Sequence, residues 1–170
     1  MKKTIILISL IAFATAYSQV TIGKTILESA SSSSLEFGNE NRGMMLPWVT
    51  NASSLQNTVN GTLVFDLSDK KVKSFQNNTW VDLSVNASGI ADSSLQDDLN
   101  DNSSAKTSIG TPTTTAGILV LEDNNKAMIL PKVASPHLNI ISPDAGMMVY
   151  DTVKKQLAVF NGSVWTFWGE

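Results

Sequence analysis

The 170-residue sequence has no cysteine and one histidine, His137. No disulfide can staple the chain, and a lone imidazole without a thiol cannot assemble the usual zinc ligand sets. Nucleophilic catalysis needs a base beside its nucleophile, but His137 sits in a Ser135-Pro136-His137-Leu138 loop that specifies no such pairing. It reads as a surface-loop histidine. Neither a Gly-x-Ser-x-Gly elbow nor a Gly-rich phosphate loop is present. Charged residues make up only 16% of the chain, and Lys70-Lys71-Lys73 and Lys154-Lys155 are its largest basic groupings outside the N-terminus. Nucleic acid and anionic lipid call for a concentrated basic surface, so neither is expected as a partner. The expectation is a non-enzyme with no catalytic residues, metal or cofactor.

Long apolar runs are also missing. The one candidate, Ile5 to Phe13, falls well short of the about 20 residues needed to cross a bilayer. It follows Lys2 and Lys3 and precedes Ala14-Thr15-Ala16-Tyr17-Ser18, the three-part pattern of a signal peptide spanning residues 1–18. Export to the outside or to the cell surface is therefore expected, with no membrane span once the signal is removed. No cysteine follows the signal to carry a lipid. Without Lys2 and Lys3 the chain keeps 10 basic and 15 acidic residues, a formal charge of −5. A module of about 65 residues without disulfides is hard to stabilise alone, so docking between modules or chains is expected.

What is present is written twice. Met44, Leu46, Pro47 and Val49 recur 84 positions later as Met128, Leu130, Pro131 and Val133. Gly61, Val64, Asp66, Lys70, Phe75 and Trp80 recur 85 positions later as Gly146, Val149, Asp151, Lys155, Phe160 and Trp165. Six identities in 20 positions stand against roughly one by chance. Thr21-Ile22-Gly23 likewise echoes Ser108-Ile109-Gly110. In each copy a glycine opens an apolar strand (TLVFD, MMVYD), a polar turn follows, then a strand (KVKSF, QLAVF), a second turn and a closing strand (TWVDL, VWTFW). Asn161-Gly162 marks the second turn of copy two as a hairpin. Proline inside MMLPWV and MILPKV places that upstream strand at an edge or a bulge. The predicted fold is all-β: two tandem antiparallel β-meander repeats after a cleaved signal peptide, with repeat one at 19–84, repeat two at 107–170, and a Ser/Asn/Asp-rich linker at 85–106.

Met44-Met45-Leu46, Met128-Ile129-Leu130 and Met147-Met148-Val149-Tyr150 are apolar on both strand faces, so both faces need a cover. Phe167 and Trp168 stand where copy one has Asp82 and Leu83, and point to opposite faces. Trp48, Phe167, Trp168, Met148 and Tyr150 form the candidate interaction surface. Asp66 and Asp151, equivalent strand-end residues, read as turn caps. Asp98-x-Asn100-x-Asn102 opens like a calcium loop but lacks its glycine and closing acid, and reads as linker. Trp80 and Trp165 read as core rather than as sugar-binding platforms.

The pattern Ile-Gly, Leu-x-Phe, (R/K)-(G/A)-M-(M/I)-L-P, then G-x-x-V-(F/Y)-D and F-(Q/N)-x-x-x-W resembles repeats of exported surface and tail-fibre-like proteins of Bacteroidetes, where GLLLPR, GLLVYDT and YYNGSAW recur. The resemblance spans Val20 to Trp168, with Trp48 standing where a basic residue is usual. It implies a secreted structural or adhesive surface component that self-associates, with a trimer as the stoichiometry suggested by fibre proteins, or that docks on another surface protein. The alternative is a small carbohydrate-binding module presenting exposed tryptophans to glycans.

Overall fold

The computed structural model describes residues 19–29, 32–100, 102 and 104–169. The segment read as a signal peptide, residues 1–18, lies outside the described residues. Copy one supplies strands β1 (Val20–Ile22), β2 (Ser33–Phe37), β3 (Met44–Met45), β4 (Trp48–Val49), β5 (Leu63–Asp66), β6 (Lys71–Gln76) and β7 (Thr79–Asp82). Copy two supplies β8 (Thr107–Gly110), β9 (Leu119–Glu122), β10 (Ala127–Ile129), β11 (Lys132–Val133), β12 (Met147–Asp151), β13 (Gln156–Phe160) and β14 (Trp165–Trp168). Helix among the described residues is confined to a 3-10 turn at Ala52–Ser54 and one α-turn at Pro136–Asn139. The chain is all-β.

The two meanders share one register. Phe65 faces Val72 and Phe75 faces Trp80 in copy one; Tyr150 faces Leu157 and Phe160 faces Trp165 in copy two. The first turn of each rests on the repeated aspartate. Asp66 Oδ1 accepts Ser68 N at 2.8 Å, and Asp151 Oδ1 accepts Val153 N at 2.9 Å. Lys70 and Lys155 close these turns at φ +60° and +56°. The second turns differ. Asn77 and Asn78 are both left-handed, as a two-residue hairpin favours, whereas in copy two Gly162 and Ser163 are the central pair and only Gly162 has positive φ. Asn161 is not the left-handed residue that the Asn-Gly pair suggested. Its side chain instead caps the turn, Oδ1 accepting Ser163 N and Val164 N.

The proline strand is not one strand. Leu46-Pro47 and Leu130-Pro131 break it into two short pieces that join different sheets. Proline has no N–H to offer, yet its carbonyl still bonds: Pro47 O accepts Phe65 N and Pro131 O accepts Tyr150 N, both at 2.9 Å. Beyond the proline, β4 and β11 pair in parallel with β5 and β12 of their own copies. Before it, β3 crosses to copy two and pairs antiparallel with β12, while β10 crosses back and pairs in parallel with β2. The copies are thus laced together by exchanged strands.

This exchange brings the meanders face to face. Leu46, Phe65 and Val72 of copy one pack with Ala145, Met148 and Val159 of copy two in one core. The opposite face of the second meander is covered by Val133 and Ile140 over Val149 and Ala158. Gly146 sits where the copies touch: a Cβ there would lie 2.9 Å from Phe65 Cβ, and its φ is +83°. Its counterpart Gly61 has φ +96° but open space around it. A left-handed L-residue costs about 1–2 kcal/mol, and overpacking about 1–3 kcal/mol more. Gly146→Ala should therefore lower the denaturation midpoint clearly more than Gly61→Ala does. Equal losses in urea titrations would mean that the contact with Phe65 is slack.

Candidate assembly surface

The five candidate residues separate by depth. Met148 is buried within the chain, against Phe65 and Val72, and offers nothing to an outside partner. Trp48 is half-buried between the copies, its ring 5.8 Å from that of Phe65 and its Nε1 donating to Ala145 O at 2.8 Å. Tyr150, half-buried, lines an apolar cleft of about 320 Å³ with Met128, Ile129, Leu130 and Lys132. Phe167 and Trp168 remain exposed on opposite faces. Trp168 leans over the end of copy one, its Nε1 donating to Leu83 O at 2.6 Å. Phe167 lies on the outer face in a row of rings, stacked on Trp165 at 6.4 Å and meeting His137 edge-on at 5.8 Å. Trp165 in turn sits 5.2 Å from Phe160. Trp80 and Trp165 are both half-buried, packed on Phe75 and Phe160 rather than sealed in the core.

The outer faces of the two meanders differ in chemistry. Copy one carries an ion network in which Lys73 Nζ lies 3.2 Å from Asp66 and 2.6 Å from Asp69. Burial pushes the Asp66 carboxyl up, but hydrogen bonds from Ser68, from Ala52 N–H and from Lys73 outweigh it and hold the group below the usual range. In copy two Ala158 replaces Lys73 and Phe167 replaces Asp82. Asp151 keeps three backbone donors on Oδ1, from Ser135, Val153 and Lys154, while its Oδ2 is buried without a hydrogen-bond partner. Its carboxyl is pushed up by burial and drawn further down by those N–H groups and by His137.

Elsewhere the sequence concealed a buried pair. Glu36, in the middle of Leu35-Glu36-Phe37, is 1% exposed and bound to Lys24 at 3.0 Å. Desolvation raises this carboxyl, and Lys24 with the Glu28 N–H lowers it more. Among the described residues no three or more His, Cys, Asp or Glu gather to hold a metal ion. None of the described helices is long and apolar enough to cross a membrane.

Several strands keep one edge open among the described residues; two of them are β9, which pairs with β8 alone, and β3, which pairs with β12 alone. Exposed apolar side chains mark both: Ile118 and Leu119 at β9, Met45 at β3.

The family profile described as phage tail like trimerisation region matches residues 108–169. These residues form the second copy, from β8 through β14, and the first copy has the same meander register. The match supports the tail-fibre-like resemblance of the repeat, and with it a structural, self-associating character. No curated protein matches the chain, and no solved structure does.

Proposed function

We propose that the chain is an exported, non-catalytic building block of a fibre-like surface assembly, and that it works as a trimer. The observation that carries this is the match of residues 108–169 to a phage tail like trimerisation region. The fold supports it: copies laced by exchanged strands extend a stiff β array, and open edges with exposed apolar residues invite further pairing. Export is supported by the N-terminal pattern of Lys2-Lys3, an apolar stretch and Ala16-x-Ser18. Assembly is preferred over sugar binding because the rings of Trp48, Trp80 and Trp165 are half-buried and packed on Phe65, Phe75 and Phe160. Light scattering on the full chain across a concentration series tests the proposal. A species of three chain masses is expected, and a monomer at the highest concentration would defeat it.

A further inference from the structure

We infer that the open edge of β9 receives β3 of a second copy of this chain, in the register that β10 adopts on β2. The inference rests on the self-association reading and names the edges through which it occurs.

The repeat supplies the argument. β9 is the counterpart of β2, and β3 is the counterpart of β10. Among the described residues β2 has two neighbours, β1 and β10, whereas β9 has one, β8. The consequence shows in the side chains: Leu35, under β10, is 1% exposed, and its counterpart Leu119 is 46% exposed. The strand that covers Leu35 belongs to the following copy, and among the described residues no strand does the same for Leu119.

β3 has the matching edge free. Along a strand, backbone groups of alternate residues point to opposite edges. Leu46 N donates to Gly146 O, so positions 44 and 46 face β12 and positions 43 and 45 face away. In β10, Ala127 N donates to Ser32 O, so position 127, the counterpart of 43, faces β2. β3 and β10 therefore use opposite edges within the chain. The edge β10 spends on β2 is the one β3 leaves open, and Met45 beside it is 42% exposed.

The observed pairs fix the register. Met128 faces Leu35 and Ile129 faces Glu36, so Met44 of the second copy falls opposite Leu119 and Met45 opposite Val120. The contact is head-to-tail. It closes into a ring of three if the rotation per chain allows and otherwise runs on as a filament.

Because the chain has no cysteine, a cross-link reads this contact without background. Two full-length variants, Met45→Cys and Val120→Cys, are mixed, oxidised and run on a non-reducing gel, with light scattering on the same mixture. A two-chain band is expected from the mixture, much stronger than from either variant alone. Met45→Cys mixed with Ile141→Cys, an exposed loop position, should give none. A multimeric mixture without the 45–120 band overturns the edge assignment and leaves self-association standing. A monomeric mixture without the band overturns both.

Discussion

Met148→Asp is expected to unfold the chain rather than merely separate its copies. Met148 is 2% exposed and packs against Phe65 and Val72 from the other meander. Truncating a buried Met costs about 2–5 kcal/mol, and an unpaired buried carboxylate adds several more. The sum is comparable with the entire stability of a domain, about 5–15 kcal/mol. Because Met148 contributes to a core shared by both copies, the two meanders should be lost in a single transition by circular dichroism. Ile141→Asp, at a position 90% exposed, should leave the melting curve in place. If Met148→Asp instead yielded a well-folded monomer, Met148 would have to face another chain, and the shared core would be wrong.

The meander was legible in the sequence because both of its determinants are local. Gly61 and Gly146 open it, Asp66 and Asp151 cap its first turn, and the constant offset of 85 carries the register from one copy to the other. The exchanged strands were not legible. Met44–Met45 and Ala127–Ile129 are too short for any alternation to show, and their partners lie about a hundred residues away in sequence. Before the fold is known, each run reads as one strand with an awkward proline. The buried Glu36 was hidden for a related reason. A charged residue between Leu35 and Phe37 reads as solvent-facing, and its partner Lys24 belongs to another segment.

Trp48 illustrates a signal whose meaning came only from the fold. Copy two carries Lys132 at the equivalent position. Trp48 has a following copy to pack on, reaching Ala145 O with its indole N–H. Lys132 is instead exposed beside the apolar cleft. The opposed faces of Phe167 and Trp168 follow from strand alternation, but the reach of Trp168 to Leu83 O needed the second meander in place.

The paired aspartates should respond unequally to the same substitution. Both Asp66 oxygens are engaged: Oδ1 by Ser68, Oδ2 by Ala52 N–H and by Lys73. Whichever way the amide introduced by Asp66→Asn turned, its NH₂ would face a donor. One buried unsatisfied group costs about 1–3 kcal/mol, and Lys73 would keep Asp69 at 2.6 Å and Asp82 at 3.8 Å as counter-charges. Asp66→Asn should therefore lose about 3 kcal/mol. Asp151→Asn can keep its three N–H bonds on Oδ1 and place NH₂ where Oδ2 has no partner. It should lose only about 1 kcal/mol, the difference between a charged and a neutral acceptor. The pH dependence has a definite sign. Both carboxyls are held below their ordinary values in the folded chain, so their stabilisation is present above the unfolded aspartate value of about 3.9 and is lost as pH falls through the lower folded value. Removing the Asp66 charge should flatten the fall in stability below about pH 4, and removing the Asp151 charge should act in the same direction. Urea titrations of the two variants at neutral and acid pH test both points. Equal costs at neutral pH would mean that Asp151 Oδ2 has a partner after all, and an unchanged acid limb in Asp66→Asn would remove the buried network from the account of stability.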